Sequence, residues 1–268
     1  MKYAVFSAAA LIAVYGLSNL LIYICRRRTG RPGNRAAGLL LAFLCGTMIL
    51  AAGIGVWSQQ YYRAGDVEAS LSDSRTVDVE KIASGWMFDG PGSDTALVFY
   101  PGGMVEETAY APLLHRLAEQ GVDCFLLKMP LHLAFLKMNA AEAVMAEYPY
   151  ETWLVGGHSL GGTAAASFAA SHPQETDGLV LLAAYPAKQL PDMKLLSVYG
   201  SEDGCLERDV YEDAKQYWPA DGTETVIPGG NHAGFGCYGP QRGDGEAAIT
   251  EEQQQEATVD AILELIEP

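Results

Sequence analysis

Carboxylates are missing from the start of this chain. All 33 acidic residues lie after Trp57, whereas six of the 17 basic residues lie before it. The remainder carries eleven basic against 33 acidic residues, a formal charge of −22. A domain this acidic lacks the basic face that a nucleic-acid partner requires. No internal repeat is present, which excludes solenoid and propeller architectures. No spaced His/Cys/carboxylate cluster occurs, so the sequence implies neither a metal nor a cofactor. Cysteine is scarce, with five in 268 residues, too few for a disulfide framework.

Charge is also absent from two long runs, Tyr3–Cys25 and Ala36–Trp57, of 23 and 22 residues. A membrane-spanning helix needs about 20 apolar residues, so both runs are expected to span. A cleaved signal peptide fits the first run less well. Its apolar core would be only about 7–15 residues long, and Arg26, Arg27 and Arg28 stand where a small-residue cleavage site belongs. Arg31 and Arg35 complete a short basic loop around Pro32 and Gly33. Such loops stay cytoplasmic. The expected arrangement is a two-helix anchor at 1–57 in the cell membrane, a polar tether at 58–78, and an extracytoplasmic domain at 79–268.

In that domain short apolar runs alternate with helical patterns. Strands are expected at Ala96–Tyr100, Val122–Leu127, Trp153–Val155, Gly178–Ala183, Leu195–Tyr199 and Glu224–Ile227. Helices are expected at Glu106–Glu119, Ala140–Glu147, Leu160–Ser171, Leu206–Tyr217 and Glu251–Glu267. This alternation implies an α/β fold with a mostly parallel sheet and helices on both faces. Binding sites in such sheets form at the carboxyl ends of the strands.

Three segments at such ends carry chemistry. Gly157-His158-Ser159-Leu160-Gly161 follows a strand and opens a helix. A serine on that sharp turn projects from the sheet, and side chains two residues either side would collide with the turn. Ser159 is therefore the candidate nucleophile. A serine hydroxyl needs a base, and for this turn the carboxylate and histidine follow in chain order. Asp203, in Ser201-Glu202-Asp203-Gly204, is the expected acid, with Glu202 as its rival. His232, just past the last strand, is the only histidine that satisfies both order and position. His158 abuts the serine but should point away from it. Two backbone donors would hold an oxyanion. Leu160 supplies one, and the Pro101-Gly102-Gly103 turn supplies the other, through Gly103 or alternatively Met104.

These residues together resemble a bacterial, dienelactone-hydrolase-like branch of the α/β-hydrolase superfamily. The resemblance runs from about Thr95 to the C-terminus and includes Asn231-His232-Ala233-Gly234-Phe235-Gly236 and Tyr238-Gly239. Similar proteins often carry glutamine at Gly234. Dienelactone hydrolases use a cysteine nucleophile, so Ser159 departs from them. The resemblance implies the α/β-hydrolase fold and hydrolysis without naming a substrate; a small-molecule or lipid-like acyl substrate is the expected partner.

Only about nine residues, Tyr185–Met193, separate two core strands where many lipases insert a lid. No lid domain is expected, and Pro130–Leu136 is either an acyl-side wall or core packing. An ester is the expected substrate. An amidase or peptidase would use the same triad, and a non-catalytic binding module could use the same scaffold. Cys205 and Cys237 flank the acid and base loops, which leaves both a disulfide and two free thiols open.

Overall fold

The computed structural model describes residues 15–16, 19–20, 22–24, 27, 35–92 and 94–267. Two compact units result, Met1–Gln60 and Tyr61–Pro268.

The first unit corrects the expectation of two transmembrane helices and of a membrane partner. Among the described residues no helix is long and apolar enough to cross a membrane. Most of the run Tyr3–Cys25 lies outside the described residues. The second run forms helix α1, Arg35–Trp57. Gly46, Gly53 and Gly55 along it add no apolar side chain.

The second unit is built on eight strands in the order β1-β2-β4-β3-β5-β6-β7-β8. The strands are β1 (Asp78–Ile82), β2 (Gly85–Asp89), β3 (Thr95–Tyr100), β4 (Asp123–Leu127), β5 (Thr152–His158), β6 (Gly178–Leu182), β7 (Lys194–Gly200) and β8 (Thr223–Ile227). β1 pairs antiparallel with β2, and β2 antiparallel with β4; the other neighbours are parallel. The hairpin β1–β2 was not legible in the sequence, because its exposure pattern is mixed and its strands are half polar.

The central strands are apolar throughout because both faces are covered. Along β3, Leu97 and Phe99 join one core, with Leu113, Leu114 and Leu117 of α2 (Ala111–Glu119) and Val259 and Ile262 of α6 (Glu251–Ile266). Ala96, Val98 and Tyr100 point the other way. They pack with Val144 of α3 (Ala140–Met145) and Ala165 and Phe168 of α4 (Leu160–Ala169). The two-residue period of a strand thus sorts each side chain to its layer. Helix α5 (Arg208–Ala214) buries Tyr211 beside Tyr199 and Leu206 in a smaller cluster.

Residues 61–78, expected as a tether, are held against this unit. Tyr62 N–H donates to the Met104 carbonyl at 2.8 Å, Glu106 N–H donates to the Tyr62 carbonyl at 2.8 Å, and Val67 and Val77 are buried. Between β6 and β7 lies only 183–193, without helix or strand.

Candidate active site

Parallel registry brings four strand ends to one edge of the sheet. Tyr100 pairs with Gly157, His158 with Leu182, and Gly200 with Ile227. The loops that follow β3, β5, β7 and β8 therefore converge, and they carry Gly103, Ser159, Asp203 and His232.

Ser159 sits at φ 52° and ψ −123°. A side chain in that region is strained, and such strain persists only where its surroundings enforce it. The enforcing contacts are backbone. A Cβ on Gly157 would lie 2.6 Å from the Tyr100 carbonyl oxygen, and one on Gly161 would run into the carbonyl oxygens of Tyr100 and Pro101. The elbow thus packs directly on the loop after β3.

That loop presents one free donor. Met104 N–H is bonded to the His132 carbonyl at 2.8 Å, which removes the alternative donor. Gly103 N–H has no partner among the described residues. Leu160 opens helix α4, where the first amides lack intrahelical acceptors. A Cβ on Gly103 would lie 2.8 Å from the Leu160 side chain, so the two expected donors are neighbours.

Asp203 and His232 are joined. His232 Nδ1 lies 2.9 Å from Asp203 Oδ2, and both side chains are almost wholly buried. The other carboxylate oxygen of Asp203 accepts from Cys205 and Leu206 N–H, each at 2.8 Å. A carboxylate with all its contacts to donors fixes the proton of a neutral His232 on Nδ1, leaving Nε2 as the basic nitrogen. Glu202, the rival acid, is exposed and bonded to Ser201 Oγ. Ser159 Oγ makes no hydrogen bond among the described residues. The structure brings its loop to His232, since the rings of His158 and His232 are 4.5 Å apart.

His158 is fully buried and turns to Tyr110, with Nδ1 2.8 Å from the hydroxyl. Tyr110 in turn accepts from Gly102 N–H at 3.1 Å. Burial holds the His158 imidazole neutral, well below its ordinary pKa, and the nearby His232 ring acts in the same direction. The His232 backbone opposes the drop, although His158 Nε2 forms no hydrogen bond among the described residues. Burial likewise raises the Tyr110 hydroxyl, so it stays protonated and able to donate.

Cys205 and Cys237 are both free thiols. Burial raises both, Cys237 to about 11, so neither is a reactive thiolate. No metal-holding group occurs among the described residues.

Sequence reasoning missed three residues. Tyr110 falls within the expected helix Glu106–Glu119, where nothing in the sequence marks it out. Gln254 reaches from α6 to Asn231, accepting from its N–H at 3.0 Å and donating to its carbonyl at 2.8 Å. Asp244, flanked by Gly243 and Gly245, accepts from the backbone N–H groups of His232 and Ala233 in the histidine loop.

Solved structures of low identity share this architecture. Est1E from Butyrivibrio proteoclasticus is 17% identical, with a TM-score of 0.51, covering 71% of this chain and 99% of its own. A dienelactone hydrolase from Anabaena variabilis is 13% identical, with a TM-score of 0.55 and the same two coverages. A putative hydrolase from Agrobacterium vitis is 15% identical, with a TM-score of 0.54, covering 72% of this chain and all of its own. These likenesses show the fold. No curated protein matches the chain. The alpha/beta hydrolase family profile matches residues 96–256, more than half of the sequence and the whole stretch from β3 into α6, and the chain belongs to that family.

Proposed function

We propose that this hydrolase is a serine enzyme that cleaves an ester-type carbonyl through an acyl-enzyme, with Ser159, Asp203 and His232 as its triad. The observation that carries the reading is the buried 2.9 Å contact between His232 and Asp203, set beside a serine held at φ 52°. Ser159 Oγ attacks the carbonyl carbon while His232 Nε2 takes its proton. Asp203 holds the imidazolium so formed and does not itself become protonated. The amides of Gly103 and Leu160 receive the oxyanion. The tetrahedral intermediate collapses, and His232 gives its proton to the leaving alcohol. Water then repeats the sequence on the acyl-enzyme and frees the acid. The Ser159–His232 hydrogen bond forms in the substrate complex, as catalytic contacts that are long in the free enzyme commonly do.

Exposed apolar side chains on the segment after Pro130, which packs against helix α4, favour an apolar acyl group. Leu131, Phe135, Leu136 and Met138 are each 42–50% exposed, and Leu160 is 36% exposed. Leu133 and Ala134 are buried, so the stretch after Pro130 divides between wall and core. His132, whose carbonyl holds Met104, ties that wall to the oxyanion loop. With no folded insertion between β6 and β7, the wall stands open to a chain-bearing ester.

The test is fluorophosphonate labelling of the full chain beside its Ser159→Ala variant. Labelling that vanishes in the variant supports an activated serine. A folded wild-type chain that does not label, or an equally labelled variant, refutes it.

A further inference from the structure

We infer that Asp244 is a positioning residue that sets the geometry of the Asp203–His232 pair; the inference rests on the serine-hydrolase reading above. One Asp244 oxygen accepts from the backbone N–H groups of Gly204 at 3.1 Å, His232 at 3.1 Å and Gly245 at 2.8 Å. The other accepts from Ala233 N–H at 2.8 Å. Gly204 follows the proposed acid, and Ala233 follows the proposed base. A single carboxylate therefore grips both loops at the two residues whose spacing decides whether the base is aligned. An ionised carboxylate offers about four acceptor sites, and here four backbone N–H groups meet it, three of them on the acid and base loops. Hydrogen bonds to an ionised acceptor are roughly twice as strong as neutral ones.

The stretch that carries Asp244 is itself fixed. Cys237 N–H donates to the Ala109 carbonyl at 2.8 Å, and Gly65 N–H donates to the Cys237 carbonyl at 2.7 Å. Gln241 Nε2 reaches Cys205 Sγ at 3.3 Å, while Gln241 Oε1 accepts from Tyr238 Oη at 3.0 Å. Gly204 and Gly245 leave no room between the strap and the acid loop: a Cβ on Gly204 would meet the Gly243 carbonyl oxygen at 2.7 Å, and one on Gly245 would strike that of Glu202. The strap thus runs at backbone contact across the acid loop and ends on the base loop.

Asp244→Asn keeps the shape but turns one acceptor into a donor. If the amide oxygen keeps the three N–H groups on its side, the NH2 faces Ala233 N–H, and the base loop shifts. Misplacement of about 1 Å costs on the order of 100-fold in rate. The assay is hydrolysis of 4-nitrophenyl butyrate by the full chain, with labelling at Ser159 as the reference. Asp244→Asn is expected to lower kcat about 10- to 100-fold with KM within about twofold. Because it acts through the pair, it is expected to add little to Asp203→Asn in the double variant. A folded Asp244→Asn with unchanged kcat, or with a loss that multiplies fully onto that of Asp203→Asn, overturns the inference alone. A wild-type chain that does not label overturns the hydrolase reading and this inference with it. Should Asp244→Asn not fold, Gln241→Ala removes the contact to Cys205 on the acid loop together with the local bond from Tyr238. It is expected to lower kcat several-fold at constant KM, and an unchanged kcat overturns the inference.

Discussion

Replacing Asp203 by asparagine perturbs one proton. In the native site one carboxylate oxygen holds two amides at 2.8 Å and the other holds His232 Nδ1 at 2.9 Å. An asparagine places its carbonyl oxygen where two N–H groups already point, so its NH2 is turned to His232. Two donors then face each other unless the imidazole proton moves to Nε2. The moved proton relieves the clash and removes the base, because a protonated Nε2 cannot accept from Ser159. The expected loss in kcat is about 10³- to 10⁴-fold, or about 4–5.5 kcal/mol at 1.36 kcal/mol per decade. KM for a 4-nitrophenyl ester should hardly change, since the Asp203 side chain is wholly buried behind His232. Steady-state kinetics beside a thermal melt separates this from unfolding. A folded variant that loses less than tenfold in kcat refutes the assignment of the acid. Glu202→Gln serves as the control: that side chain is exposed and bonded only to Ser201, so its kcat is expected to stay within about twofold.

Tyr110→Phe leaves Gly102 N–H and His158 Nδ1 without their shared partner; burial of unpaired polar groups costs about 1–3 kcal/mol, read as a lower Tm, and the loosened oxyanion loop should lower kcat about tenfold. An unchanged Tm would show that the Tyr110 bridge carries no strength. Because the folded chain keeps His158 neutral while an unfolded histidine protonates below about pH 6.5, the unfolded state binds more protons there and stability falls as pH drops. The slope is up to about 1.4 kcal/mol per pH unit as pH falls below about 6.5, and denaturant melts of His158→Gln should show a shallower fall there. Phe135→Ala is expected to lower kcat/KM for an octanoate ester about tenfold, close to 1.4 kcal/mol of lost apolar burial, and to leave an acetate ester unaffected; equal losses on both would deny the apolar wall.

The parts that the sequence made legible share one property: local pattern and global packing require the same residues. Each central strand is buried on both faces, so its residues form an apolar run visible without the fold. The elbow glycines are required by backbone contacts at Tyr100 and Pro101, and their spacing shows in five residues. The β1–β2 hairpin failed that condition, since its residues alternate irregularly between exposed and buried. Tyr110 failed it too, because a helix-face tyrosine and a tyrosine bridging Gly102 to His158 look alike in one dimension. The two apolar runs show the reverse error. Length and lack of charge pointed to spans, yet among the described residues no helix meets the requirement. Asp244 lies beyond reach of either kind of pattern, because its partners are backbone amides, which every sequence supplies equally.

Gly234 shows how such a site absorbs a change that reads as a defect in one dimension. Glutamine often stands there in similar proteins, and its absence would leave a void beside the histidine. The structure shows that space filled from elsewhere. A Cβ on Gly234 would run into Gln254, whose side chain lies against the loop and is 1% exposed. Its amide pairs with both the N–H and the carbonyl of Asn231, the residue before the proposed base. Gly230 is shaped by the same side chain, with a Cβ there only 2.8 Å from its amide oxygen. A glutamine side chain therefore supports the base loop in this chain, but it comes from helix α6 rather than from the loop itself. The capping box of Thr250 and Gln253 fixes the start of that helix, and with it the height at which Gln254 meets the loop. The position of His232 thus depends on a helix terminus about 20 residues downstream as well as on its own strand, and the loop can carry glycine at 234 because the helix carries the amide.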